Sequence, residues 1–437
     1  MDDIKKIIPE TKTSVEQSMK NAKEYWHMLG PGLTTGAADD DPSGIATYSQ
    51  TGSQYGFQLT WLALFSFPLM GVVQEMCARI GIVTGEGLAA NIRRYFPRRV
   101  LYASTILLLI ANIFNLGADL GAMATATQLV LPHWNFGILV VGFGVISLLL
   151  QIFTTYVEYA KYLKYLALIL LSYVVSAFVL HIHWSDVLMH TIIPHITWSK
   201  DQIFIIAGIL GTTISPYLFF WQTSQEVEEE IKDGQTTIRS RQLSTTPKQI
   251  RDMRIDVWTG MFVSNLVMFF IIAACGAALH GSGITTIKTA ADAALALKPF
   301  GGMFAYVLFT LGIVGTGMLA VPVLAGSAAY AVSESLGWKY GLYRKLKQAY
   351  AFYGVIAVAV IVGIIINFIG LDPIKALIYS AVLNGVIAPI ILFFIVRISG
   401  SKKIMGEWAN KKIPHFIGWL TVGIMTVAAV AVIISLL

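Results

Sequence analysis

"TTGAADDDPSGIATYSQ", residues 34–50, sets three consecutive aspartates, a proline and a glycine inside a chain otherwise rich in apolar residues. The stretch is either a surface loop between two apolar helices or a break within one helix, and the fold depends on which. Composition narrows the setting. Of 437 residues, 56% are hydrophobic and only 13% charged, against roughly 25% charged in soluble domains. Apolar runs long enough to cross a hydrocarbon core of ~30 Å recur along almost the whole chain. They fall near 28–51, 56–80, 100–130, 136–155, 162–182, 202–224, 256–280, 301–335, 350–370, 373–396 and 414–437. The expected fold class is therefore an all-α polytopic membrane protein with eleven transmembrane helices.

Charge placement tests that count. With residues 1–27 as a cytoplasmic N-terminal segment, alternate connections on the cytoplasmic side carry 27 of the 31 Lys and Arg residues. The opposite side holds only Lys200, Lys288, Lys298 and Lys375. Cytoplasmic loops carry such an excess. Were 28–51 an extramembrane loop, every later assignment would invert. The segment therefore spans, and its break lies within the bilayer. The net charge of +6 reflects topology in a plasma-membrane protein and implies no nucleic-acid partner. The first 25 residues lack an apolar core and cleavage site, so no signal peptide is expected. Cys77 and Cys275 both lie in apolar stretches and imply no disulfide framework. The long polar connection from Glu226 to Asp256 reads as a solvated face.

Pro42 removes a backbone donor and clashes with the preceding turn, so the helix breaks or kinks there, and Gly44 weakens it further. Freed carbonyls inside a membrane are tolerated where the backbone lines a cavity or is buried in protein. A charged aspartate near mid-bilayer costs at least ~2.5–3.5 kcal/mol and normally faces a pathway and a partner. Asp41 fits that description, and its natural counter-ion is a cation. A counterpart appears at residues 208–222, "GILGTTISPYLFFWQ", where Gly211, Thr212, Thr213 and Pro216 interrupt an apolar run. Two interrupted helices in corresponding positions mark an inverted five-plus-five repeat with the substrate between them. The repeats would cover 28–200 and 201–397, leaving 398–437 as a cytoplasmic connection and an eleventh helix.

Motif pair and span count together resemble the Nramp family of divalent-metal transporters, whose first helix carries Asp-Pro-Gly-Asn and whose sixth carries Met-Pro-His. "RIGIVTGEGLA" at 79–89 and "GADLGA" at 117–122 extend the likeness over most of the membrane region. The resemblance implies a fold shared with sodium-coupled amino-acid transporters (LeuT-like), with alternating access around a metal between helices one and six. Here Asp41 keeps the family's aspartate. The ligand asparagine position is Gly44, the methionine is Ser215 and the histidine is Tyr217, while Thr212 would supply a backbone carbonyl and Asn384 on span ten a polar ligand.

These departures have a chemical direction. A thioether favours transition metals. Ser215 in its place leaves an all-oxygen set, which suits hard cations, and Mg²⁺ binds through one or two carboxylates while keeping several waters. The pattern resembles the Nramp-related magnesium transporters, a branch of the family. Mg²⁺ is thus the expected cargo and Mn²⁺ a second substrate, with no cofactor. Proton machinery is depleted too. Tyr217, a residue type with reference pKa of about 10, replaces the histidine, Asn112 and Ala122 stand where the family has glutamates, and the arginine pair before helix nine is missing from "KQAYAFYG" at 347–354. Asp119 remains. Uncoupled uptake down the potential, worth ~4.6 kcal/mol per 100 mV for a divalent ion, is the expectation. The alternatives are a proton-coupled Mn²⁺/Fe²⁺ transporter and, in another class, a sodium-coupled organic solute carrier.

Other polar residues carry open readings. Asp39 and Asp40 would line a vestibule or cap the break. Tyr379 and Ser380 could join Asn384 at the ion. Glu75 is either a functional mid-span acid or a partner of the first half-helix, with Glu86 at the cytoplasmic end of that span. His181, His183, His190 and His195 would be interfacial residues or a metal cluster. "GTGMLA" at 315–320 follows no strand and reads as close helix packing. No catalytic constellation emerges, so no enzyme is expected, and oligomeric state is left open.

Overall fold

The computed structural model describes residues 30–154 and 168–436. Its helices, in chain order, are α1 Pro31–Asp39, α2 Pro42–Tyr55, α3 Trp61–Thr84, α4 Leu88–Tyr95, α5 Arg98–Val130, α6 Phe136–Phe153, α7 Leu171–Val179, α8 Trp184–Ile192 and α9 Lys200–Thr213. There follow α10 Pro216–Lys232, α11 Ile238–Ser244, α12 Pro247–Ala278, α13 Ala290–Ala294, α14 Gly302–Leu336, α15 Tyr350–Ile366, α16 Pro373–Ser399, α17 Lys402–Met405 and α18 Lys412–Leu436. Among the described residues eight helical stretches are long and apolar enough to cross a membrane, with α9 and α10 together forming one, and α15 is a shorter apolar helix. The first expected span is divided into α1 and α2. The fifth, near 162–182, lies partly on residues outside those described, as does the N-terminal segment 1–27.

The two breaks form because proline ends one helix and opens the next. Pro42 and Pro216 each occupy the first position of α2 and α10, where a missing N–H costs nothing. The residues before them leave helical geometry: Asp41 has ψ 169° and Ser215 ψ 126°. Around this broken pair, α5 packs against α14, α9 against α16, and both α1 and α2 lie along α12. On α6 the exposed side chains Ile138, Val141, Val145 and Leu149 recur every three or four residues, a stripe of one helix face that turns to lipid.

Half-helix α1 sits on α12 with no side chain between them. A Cβ on Gly36 would lie 2.4 Å from the Gly260 carbonyl oxygen, and one on Gly260 2.2 Å from that of Gly32. Glycines here allow backbone-to-backbone approach, as small residues do at membrane helix interfaces. The open end of α1 is closed from the same helix. Asp256 accepts from the backbone N–H groups of Gly30, Gly32 and Leu33 at 2.9, 2.6 and 2.9 Å. These are orphan donors of a helix start, and Gly30 at the cap position has no side chain to offer.

Two expectations are corrected. Glu75 is not the partner of α1; it pairs with Arg254 (3.0 Å) and accepts from Trp258 Nε1 (3.1 Å), so Asp256 takes the role assigned to it. Nor is 226–256 simply a solvated connection. Helix runs on to Lys232, α11 fills its middle, and Arg241 is buried, donating to the carbonyls of Gly85 and Gln235.

Candidate functional site

Asp41 is the N-cap of α2, and its carboxylate is fully engaged. Oδ1 accepts from Ser43 Oγ (2.6 Å) and the Gly44 N–H (2.7 Å). Oδ2 accepts from Asn115 Nδ2 (2.9 Å), with the Tyr217 hydroxyl at 3.4 Å. That hydroxyl also lies 3.2 Å from the Ala38 carbonyl, a freed acceptor at the end of α1. One acid thus ties together both halves of the first broken helix, α5 and α10. Charge-assisted contacts of this kind are roughly twice as strong as neutral ones.

Asn115 was not singled out from the sequence, although it lies one turn from Asp119 on α5. Its amide nitrogen reaches Asp41 and its oxygen accepts from Ser380 Oγ at 2.7 Å, so it links the break to α16. A polar residue on the Asp119 face of an apolar helix was the available signal. Asn112, one turn earlier, holds α14 by donating to Ser327 Oγ and the Leu324 carbonyl.

At the second break, Ser215 Oγ lies 2.8 Å from the Gly211 carbonyl and 2.6 Å from that of Thr212. The serine satisfies the carbonyls that the break releases. Gly44 lies within α2 rather than at the break, and its missing side chain is not open space: a Cβ there would stand 3.0 Å from Thr212 Oγ1 and 3.3 Å from Tyr48. Thr212 and Gly44 are therefore direct neighbours across the two broken helices.

Several buried polar groups near the break find no hydrogen-bond partner in the protein. Both side-chain atoms of Asn384 and Asp39 Oδ1 are in this state, while the Asp119 carboxylate faces the Ser43 backbone N–H and the Tyr48 hydroxyl faces the Thr212 hydroxyl. Leaving a buried polar group unsatisfied costs about 1–3 kcal/mol, and such groups ask for water or an ion. The remaining members of the aspartate run turn away to α12, where Ser264 Oγ meets Asp39 Oδ2 at 2.6 Å and Asp40 Oδ1 at 3.3 Å. They brace the end of α1 and do not join Asp41. Tyr379 also points elsewhere, half-exposed against Phe204, whereas Ser380 is buried. Glu86 pairs with Arg94 at 2.7 Å. Among the described residues no three His, Cys, Asp or Glu side chains converge as a metal cage, so the four histidines near 181–195 form no cluster.

An engaged carboxylate between two helices broken at mid-length, inside an all-helical bundle, is the architecture of a membrane transporter. Residues 32–435 match the family model described as natural resistance-associated macrophage protein-like, Nramp, and the chain belongs to that family. Among its relatives, the "Divalent metal cation transporter MntH" of Caldanaerobacter subterraneus subsp. tengcongensis is 27% identical over 427 residues, covering 94% of this chain and 95% of that protein. In fold it is similar to the crystal structure of a manganese transporter of Eremococcus coleocola, with TM-score 0.71, 19% identity and coverage of 94% of this chain and 87% of the other. Mhp1, a nucleobase-cation-symport-1 family transporter, is similar more distantly, with TM-score 0.56 and 13% identity over 93% of this chain and 91% of that one. The matched relatives are transporters rather than enzymes.

Proposed function

We propose that this protein is a secondary transporter of divalent cations, carrying Mg²⁺ in preference and Mn²⁺ as well, without obligatory proton coupling. The ion would sit between the two breaks, with Asp41, Thr212, Ser215, Gly44, Tyr217 and Asn384 around it, in an eleven-helix inverted repeat of the plasma membrane with its N-terminus in the cytoplasm. The observation that carries the reading is the state of Asp41. Four donors already surround its two oxygens, so an ion that insists on direct coordination must break a hydrogen bond. An ion that keeps its water shell need not. Mg²⁺ dehydrates reluctantly and binds through few carboxylates. Asn384, Thr212 Oγ1 and Tyr48 offer neutral oxygen or amide groups to those waters. Names given to relatives, a divalent metal cation transporter and a manganese transporter, support the broader cargo class.

A proton-coupled carrier of softer metals is the second reading, and one contact favours it. Met123 on α5 packs against Gly317 close to Pro42, which keeps a thioether in the neighbourhood of the break. An organic solute carrier of the same fold is disfavoured, because the aspartate at the break repels a substrate carboxylate. The test is uptake into liposomes holding the purified protein, followed with a magnesium-sensitive dye and a pH dye together. Mg²⁺ influx without acidification, lost in Asp41→Ala, is expected. Mn²⁺ influx with acidification and no Mg²⁺ influx would overturn the magnesium assignment.

A further inference from the structure

Where α16 ends and α18 begins, away from the broken helices, the protein holds an open cavity of about 460 Å³. Its wall combines Arg397 from the last turn of α16, Lys403 from α17, His415 and Trp419 from α18, and Tyr95 and Phe96 from the junction of α4 and α5. No acidic residue lines it. Arg397 and Lys403 are exposed and take part in none of the ion pairs among the described residues.

The histidine is oriented. Trp419 Nε1 donates to His415 Nε2 at 3.2 Å, which fixes the neutral ring's proton on Nδ1. Gly400 makes room for that edge, since a Cβ there would lie 2.8 Å from Nδ1. Three nitrogen donors and an indole thus share one recess. Beside it the same two helices expose Phe393 on α16 and, one turn apart, Phe416 and Leu420 on α18. Phe393 meets Trp419 edge-on with centroids 5.7 Å apart. The chemistry is that of an amphiphile receptor: a cationic recess for a head and an apolar face for tails.

We infer that this cavity binds the phosphate headgroup of an anionic phospholipid from the leaflet on the cytoplasmic side. Basic pockets between membrane helices on that side suit such headgroups, and the charge asymmetry of the chain puts this end there. Aromatic side chains at the rim match the amphipathic belt of the interface. The lipid would tie the α4–α5 junction to the start of α18, beside an α16–α18 packing that already runs along both helices. This inference does not depend on which cation is carried.

The test uses the full-length protein in nanodiscs of phosphatidylcholine, with and without phosphatidylglycerol, and native mass spectrometry of retained lipid. Phosphatidylglycerol is expected to raise the thermal midpoint of the wild type and to be retained on it. Arg397→Gln together with Lys403→Gln should weaken its binding about 30-fold and remove the shift, while Asp41→Ala keeps both. Inorganic phosphate at matched ionic strength should give no shift; if it reproduces the full effect, the site takes free phosphate and the lipid assignment fails. Equal lipid retention by the double variant would also overturn the proposal. Should that variant not fold, wild-type protein with a photoreactive phosphatidylglycerol must crosslink at α16–α18, and crosslinking elsewhere refutes the site.

Discussion

Replacing Asp256 by alanine should free the first half-helix. Asp256 closes three N–H groups of α1 at 2.9, 2.6 and 2.9 Å, and the N-cap residue Gly30 contributes no side-chain bond of its own. Bonds to a charged group are worth about 1.5–3 kcal/mol each. Gly30, Pro31 and Leu33 are partly exposed, so the three are better counted as one strong cap, about 2 kcal/mol. At about 1.4 kcal/mol per tenfold, that moves the balance between docked and undocked α1 by roughly 30-fold. The readout is alkylation of a cysteine at Thr35, a fully buried residue of α1 whose hydroxyl bonds only the Pro31 carbonyl. Cys77 and Cys275 are both buried and give a quiet background. Thr35→Cys alone should label slowly, and adding Asp256→Ala should speed labelling by about tenfold or more, with Asp256→Asn between the two. Labelling unchanged by Asp256→Ala, with the protein still folded, would mean that glycine packing alone holds α1 and that the cap has no part in docking it.

Other outcomes follow from the same geometry. Gly260→Ala should also loosen α1, because its Cβ has 2.2 Å of room; the two changes share one interface, so their labelling effects should add poorly. Asn384→Leu removes an amide with no partner, so thermal denaturation should show unchanged or raised stability, by up to about 1–3 kcal/mol, while Mg²⁺ uptake falls; a destabilised variant with full uptake contradicts the role given to Asn384. Asn115→Ala removes one charge-assisted donor from Asp41 and should raise the uptake KM for Mg²⁺ roughly tenfold or more, with Ser380→Ala milder because Ser380 bonds Asn115 and does not itself touch Asp41. Ser215→Met should shift competition in uptake toward Mn²⁺ and Cd²⁺, since it supplies a soft ligand and releases the Thr212 carbonyl; no change in selectivity would argue that position 215 does not face the ion.

Much of this arrangement was legible because proline speaks locally. Pro42 and Pro216 fix the helix starts whatever surrounds them. What stayed hidden depends on which helix faces which. Asn115 reads as one polar residue in an apolar helix until α5 is laid against the break. Asp256 reads as the start of a span, yet its partners are more than two hundred residues away. Gly44 reads as a lost ligand; only the closeness of Thr212 and Tyr48 shows that neighbours already take the place of its side chain. Glu75 was legible as a buried acid in need of a partner, but the partner could not be chosen between α1 and α12 from sequence.

The run of three aspartates now has a physical division of labour. Successive residues at a helix end point in directions about 100° apart, so three adjacent carboxylates cannot share one ion. Asp39 and Asp40 take Ser264 on α12, and Asp41 takes Asn115 and Tyr217. The first two therefore hold the end of α1 to the helix that also caps its beginning, while the third faces the second broken helix. An ion arriving beside Asp41 would pull on Asn115 and Tyr217, and through Asn115 on Ser380 of α16. Release of α1 requires the opposite side of the same short segment to let go of Ser264 and Asp256. Asp41 directly follows the two residues that meet Ser264, so on the function proposed above a change in how Asp41 is held would reach the α1–α12 contact without any longer path through the protein.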